Sequence, residues 1–160
     1  MSKSLFPILK SPVKFNWFLI TQLPMAYLAG VKLEEVSEEK AVVSIRYKYL
    51  TKNPFRSIYF ACLSMAGEFA SGVLSLTCIY GVKPPVSMLV THMEADFTKK
   101  AIGKIRFVCN DGKQIAQAID EARKTGESRT LVATSSGFDE SGDKVAEFRI
   151  TWSYKAKLKQ

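Results

Sequence analysis

A chain of 160 residues is long enough for one domain with a sizeable core, and 47% hydrophobic against 24% charged residues is ordinary for a globular protein and excludes a low-complexity tract. The 23 Lys and Arg against 15 Asp and Glu leave a formal charge of +8, which attracts nucleic acid, a membrane surface or a phosphorylated cofactor, or simply keeps the protein soluble. The three cysteines, Cys62, Cys78 and Cys109, lack metal-site spacing, and a single histidine, His92, excludes histidine metal clusters.

Residues 1–30 read as an N-terminal helical appendage. Phe15, Phe18 and Leu19 share a helical spacing, and Pro24 should break or kink the run Asn16–Leu28. That run is too short and interrupted to span a membrane. It reads as an apolar stripe packed on the body of the protein or on a partner subunit. Peripheral membrane contact, helped by Lys3, Lys10 and Lys14, is the minor alternative.

Val31–Tyr49 reads as two strands with a turn at Ser37–Lys40. Val43, Ile45, Tyr47 and Tyr49 alternate with Ser44, Arg46 and Lys48. One apolar and one wet face suit a half-covered antiparallel sheet. Leu50–Arg56 is a loop built around Asn53-Pro54, where proline keeps Asn53 out of helical angles.

Residues 57–80 form the longest apolar run, SIYFACLSMAGEFASGVLSLTCIY, with no proline and one ionisable carboxylate, Glu68. A helix apolar all round is normally buried, and a carboxylate on it is costly unless paired, hydrogen-bonded or protonated. Ala61, Ser64, Glu68, Ser71, Gly72 and Ser75 fall on one face, whose small residues let a backbone or a thin ligand come close. Glu68 therefore reads either as a carboxylate satisfied by hydroxyls or amides, or as a general acid or base in a cleft. The run approaches the roughly 20 residues that cross a bilayer, but amphipathic strands on both sides favour a core helix. Cys62 and Cys78 read as small core residues. Buried thiols suit a reducing cytoplasm, and no signal-peptide pattern is seen. Gly81, Pro84 and Pro85 end the helix.

Val86–Phe97 is the next strand, with Leu89, Thr91, Met93, Ala95 and Phe97 expected on one face and Met88, Val90, His92, Glu94 and Asp96 on the other. Lys104–Asn110 follows. Asp111–Arg123 changes period, with Ile115, Ala118, Ile119 and Ala122 on one helical stripe and Asp111 and Gln114 in capping-box positions. Strands Ser128–Phe138 and Lys144–Tyr154, joined by a turn at Glu140–Asp143, close the chain. Hairpin-joined strands around one buried helix imply an α+β domain with an antiparallel sheet wrapped on that helix.

His92 sits mid-strand and reads as structural. The basic stripe Lys99, Lys100, Lys104 and Arg106 has no stacking platform beside it, which sets nucleic acid aside. What remains is Asn53 ahead of the central helix, Glu68 within it, and a helix start whose free N–H groups can hold a polarised carbonyl oxygen. A carboxylate further along that helix could activate water or attack directly.

This order of elements resembles the hotdog-fold thioesterase superfamily, nearest to its phenylacetate-type, single-domain branch and DUF4442-type relatives. The resemblance covers about Val31–Tyr154 and defines a hotdog domain at 31–155. In that branch an Asn precedes a His-Gly-Gly by six positions, and an Asp or Glu follows the His by nine. Asn53, Tyr59 and Glu68 have those spacings. The segments Met93–Gly103 and Gly142–Trp152 are similar to a family strand and to its closing hairpin. Here the His position holds Tyr59, and the Gly positions hold Phe60 and Ala61. The resemblance implies Glu68 as base or nucleophile, Asn53 as orienting group and the Ala61 amide as oxyanion donor. Tyr59, Phe60 and Ser64 would line the substrate site, and Lys99, Lys100, Lys104 or Arg106 would meet the phosphates of CoA. The implied protein is an acyl-CoA thioesterase-like hydrolase needing no metal or cofactor, CoA being part of the substrate. It would be a cytoplasmic homodimer or homotetramer, with the site between one subunit's helix and its neighbour. The alternative is a non-catalytic acyl- or fatty-acid-binding hotdog dimer, in which Tyr59 and Phe60 have closed the thioester site.

Overall fold

Proline stands in the first turn of each of the three opening helices. The computed structural model describes residues 4–157, so Lys3 lies outside them. Helices α1 (Phe6–Leu9), α2 (Pro12–Gln22) and α3 (Pro24–Ala29) each carry proline in the first turn, where its missing N–H is no loss. Pro24 thus opens α3, and Leu23, at φ −139° and ψ 61°, makes the corner. Leu9, Phe15, Leu19, Ala26 and Ala29 are buried in the same core as the sheet, whereas Val13, Trp17, Met25 and Leu28 face outward.

Strands β1 (Lys32–Val36) and β2 (Ala41–Arg46) form a hairpin. The wet face expected on β2 is covered only in part: Arg46 and Lys48 are exposed, but Ser44, with its neighbour Val42, is as buried as Val43 and Ile45. Ser44 lies under the Glu34 carboxylate, which pairs with Lys104 and, at 2.7 Å, with Arg106 Nε. The alternation that continued to Tyr49 also ends sooner than expected. Thr51 Oγ1 accepts from the Lys48 amide at 2.9 Å and donates to the Arg46 carbonyl at 2.7 Å, curling residues 49–51 into a 3-10 turn.

Helix α4 (Phe60–Ile79) lies on the sheet. A β-carbon at Gly67 would sit 2.5 Å from the Phe148 ring, so glycine sets how closely helix and sheet approach. Below it, the Trp152 indole donates to Ser71 Oγ at 2.9 Å, and the Tyr154 hydroxyl meets Ser75 Oγ at 2.7 Å. By length and composition α4 could cross a membrane. It is instead the rod on which the sheet packs, with Ala66, Ala70, Val73 and Leu74 fully buried.

The remaining elements are β3 (Val86–Phe97), β4 (Lys104–Cys109), α5 (Gly112–Thr125), β5 (Arg129–Phe138) and β6 (Lys144–Ala156). The six strands form one antiparallel sheet in the order β1-β2-β4-β5-β6-β3. A bulge in β3 corrects its expected faces. Val90 pairs with Trp152 but His92 with Thr151, so Thr91 is the extra residue. Met88 and Val90 therefore share the helix-facing side with Met93, Ala95 and Phe97.

The capping box expected at Asp111 is also absent. β4 and β5 pair at only three positions, ending at Val108 with Ser136. The Thr134 amide beyond them is left without a strand partner, and Asp111 Oδ2 accepts from it at 2.7 Å. α5 fills this gap, its Gly112 pressed on the β1–β2 turn, where a β-carbon would lie 2.1 Å from the Glu38 carbonyl oxygen. An antiparallel sheet curled about one central helix is the hotdog arrangement.

Candidate functional site

The start of α4 is held by two strands of backbone. The Tyr59 amide donates to the Thr51 carbonyl at 2.7 Å and the Ile58 amide to Ala101 at 2.9 Å. Tyr59 caps the helix in extended geometry with no side-chain cap. The Cys62 and Leu63 amides turn back to the Tyr59 carbonyl at 2.9 and 3.2 Å. The Phe60 and Ala61 amides have no partner among the described residues, as the first N–H groups of a helix do not unless something caps them.

In front of this helix start is a cleft of about 630 Å³ bordered by Asn53, Tyr59, Phe60, Phe97, Lys99 and Lys100. Tyr59 and Phe60 meet edge to face, with centroids 4.9 Å apart, and Phe60 stands 6.4 Å from Phe97. Both Tyr59 and Phe60 are about half exposed. They roof the cleft without filling it. Asn53 shapes its rim. Its Oδ1 accepts from the Phe55 and Ser57 amides at 3.0 and 3.2 Å, and its Nδ2 donates to Ser57 Oγ at 3.0 Å. The side chain is thus largely engaged in closing its own loop.

The basic residues separate. Lys99 is clamped by Asp139 at 2.6 Å and Asp143 at 2.7 Å, which raises its pKa. Lys104 and Arg106 lie on the outer face of the sheet, bound to Glu34. Burial pushes the Glu34 carboxyl up, but bonds from Lys104 and Ser44 outweigh it and hold the pKa below its ordinary value. Lys100 makes no ion pair among the described residues and has only the Phe55 carbonyl, at 3.4 Å.

Glu68 opens elsewhere. It borders a hollow of about 330 Å³ between α4 and α3, with Gln22, Leu23, Met25, Met65 and Phe69. Its carboxylate has no hydrogen-bond or ion-pair partner among the described residues, and burial alone raises its pKa to about 7. It folds back along the helix. A β-carbon at Gly72 would lie 3.1 Å from Glu68 Oε1 and 3.5 Å from the Trp152 ring, so glycine leaves the carboxylate its place. The small face expected around Glu68 is not open throughout. Ser71 and Ser75 are fully buried against β6, and Ser64 donates to the Phe60 carbonyl at 2.9 Å.

The structure thus brings Asn53, Tyr59, Phe60, Lys99 and Lys100 to one cleft and leaves Glu68 at another. Ala61 and Glu68 are seven residues apart, about 10 Å along the axis. The Glu68 carboxylate folds toward Gly72, away from the helix start. Sequence reasoning missed the wall that α3 builds beside Glu68, and the anchors Glu34, Asp139 and Asp143. The acidic Asp139 and Asp143 flanking the Ser141-Gly142 turn were the available signal for the last two.

Residues 13–154 match the model of the DUF4442 family, a domain of unknown function. No curated protein matches the sequence. Solved structures share the fold. A Pseudomonas aeruginosa protein of unknown function, described as a probable thioesterase, superposes with a TM-score of 0.77 at 21% identity, over 92% of this chain and 97% of the other. A protein of unknown function from Chlorobaculum tepidum gives 0.75 at 13% identity, over 92% and 98%. A mutant thioesterase from Pseudomonas aeruginosa gives 0.71 at 14% identity, over 92% and 95%.

Proposed function

The chain belongs to the DUF4442 family, and from that premise and the geometry around Glu68 we propose that it hydrolyses an acyl thioester. The observation that carries this reading is an unpartnered carboxylate on a buried helix, its pKa raised to about 7 by burial. Such a group is poised to take and return a proton near neutral pH. In the proposed reaction Glu68 accepts a proton as water attacks the thioester carbonyl carbon. The oxyanion that develops on the carbonyl oxygen accepts a hydrogen bond from the free amide of Ala61 at the helix start. Collapse expels the thiolate, which recovers the proton from Glu68, leaving a carboxylic acid and free thiol.

The separation of Ala61 from Glu68 supports a homodimer, in which one protomer's Glu68 faces its partner's helix start. β3 is an edge strand of 12 residues, and Leu89, Met93 and Phe97 on it are 65%, 43% and 49% exposed. Exposed apolar side chains on an edge strand are a surface that asks for cover. For CoA as the thiol carrier, Lys100 is the lysine of this cleft that is free to meet a phosphate. Asn53 acts by holding the rim.

A panel of acyl-CoA thioesters assayed for free CoA tests the reading. Turnover that disappears in Glu68→Gln while the fold persists supports it. Undiminished turnover in that variant removes Glu68 from the mechanism. A second reading, a non-catalytic acyl-binding dimer, is favoured by the aromatic pair Tyr59 and Phe60 over the helix start. Thermal stabilisation by acyl-CoA without release of CoA would select it.

A further inference from the structure

A second, larger hollow lies next to the one beside Glu68. A groove of about 990 Å³ runs between α2 and α4, walled by Trp17, Phe18, Ile20, Leu76 and Tyr80. Gln22 borders both spaces. No carboxylate lines the groove, and its one charged residue is Lys14. Along α4, Leu76 and Tyr80 lie about 12 and 18 Å beyond Glu68. A long apolar trough with an ionisable group near one end has the shape of a ligand that is a hydrocarbon chain carrying one reactive or polar end.

We propose that this groove binds the chain of a long-chain acyl group, with its carbonyl end toward Glu68. The substrate class is then a long-chain fatty acyl thioester rather than an acetyl, short-chain or aromatic one. The assignment of its carbonyl end rests on the hydrolase reading above; the groove itself does not. Trp17 is 67% exposed and Ile20 42% exposed, so substitutions there remove groove wall without opening the core. A bound chain would cover both side chains, which gives a direct signal. Trp152, the other tryptophan, is buried under α4, so a change lost in Trp17→Phe comes from the groove.

The experiment is fluorescence titration of the full chain with palmitate and butyrate, below the micellar range of palmitate. Alongside it, hydrolysis of palmitoyl-CoA and butyryl-CoA is measured in wild type and Ile20→Lys, which places a charge in the trough. Expected are a Trp17 signal with palmitate and none with butyrate, and palmitate binding weakened about tenfold or more in Ile20→Lys. The palmitoyl-to-butyryl rate ratio should fall by a similar factor. Palmitate binding with those properties but no thioester cleavage would keep the groove and end the hydrolase reading. Glu68-dependent cleavage of butyryl-CoA with no palmitate signal at Trp17 would keep the hydrolase and overturn the groove. Loss of a dimer in Ile20→Lys with an unchanged chain-length ratio would make the groove a subunit contact and also overturn the proposal.

Discussion

Replacing Glu68 with glutamine should change how stability depends on pH more than it changes the fold. The carboxyl has an ordinary pKa of 4.5 and is raised to about 7 by burial, with no partner to offset the charge. Below pH 4.5 the group is neutral in folded and unfolded chains alike and contributes nothing. Between 4.5 and 7 the unfolded chain releases its proton while the folded chain keeps it, so stability falls as pH rises. Above about 7 both states are ionised and the full penalty remains. That elevation is worth about 3 kcal/mol, reduced toward ~2 kcal/mol by solvent reaching the carboxylate from the hollow. Glutamine carries no such term. Urea unfolding of both proteins at pH 4 and pH 8 isolates it, because every other titrating group cancels in the difference. The advantage of Glu68→Gln over wild type should grow by about 2–3 kcal/mol between the two pH values, or several degrees in Tm for a chain of this size. Parallel pH dependences in the two proteins would show that Glu68 is not desolvated in the folded state, and the argument for it as an acid-base group would fall.

Three further outcomes are expected. Thioester hydrolysis should rise with pH to a plateau above about 7, because Glu68 accepts a proton only when ionised, and Glu68→Gln should lower kcat by about 10²-fold or more across the profile; a wild-type profile flat from pH 5 to 9 would contradict this. Asp111→Ala strands the Thr134 amide and should cost about 1–3 kcal/mol in urea unfolding, whereas Asp111→Asn keeps an acceptor oxygen and should cost less; equal losses would show that the bond is not what matters. Met93→Glu puts a charge on a half-exposed position of the edge strand β3 and should give a monomer by light scattering, with hydrolysis lost alongside if the proposed site lies between two protomers; a fully active monomer would refute the shared site.

Much of the fold was legible because hydrophobic period is a strong signal where a surface is half buried. The bounds expected for β3, Val86–Phe97, are those observed, and α4 was evident from its apolar run. The misreadings have a common physical origin in contacts between residues distant in sequence. A single extra residue at Thr91 inverts the face of Met88 and Val90, and no composition marks it. Asp111 has the spacing of a helix cap, but an unpaired strand amide 23 residues on competes for it. Lys104 and Arg106 look like a free basic stripe until Glu34 folds over them. Glu68 was legible for the opposite reason: it is the one ionisable carboxylate in the apolar run, and the nearby Ser64 and Ser71 hydroxyls that could have satisfied it donate to backbone carbonyls instead. Its companions were not legible, because α3 approaches α4 from more than 40 positions away in the chain.

The central helix meets two demands that oppose each other. Its sheet side must lie flush, so Gly67 gives way to Phe148 and the Ser71 and Ser75 hydroxyls bind β6 aromatics directly. Its other side must leave a carboxylate in low-dielectric surroundings without closing over it, and Gly72 and the α3 wall keep that space. A residue with a side chain at 72, or a partner for Glu68, would make a more stable helix and a less reactive acid. An apolar core helix thus keeps an uncompensated carboxylate at a cost of a few kcal/mol that glutamine would remove, and the acid-base role proposed for Glu68 rests on that cost.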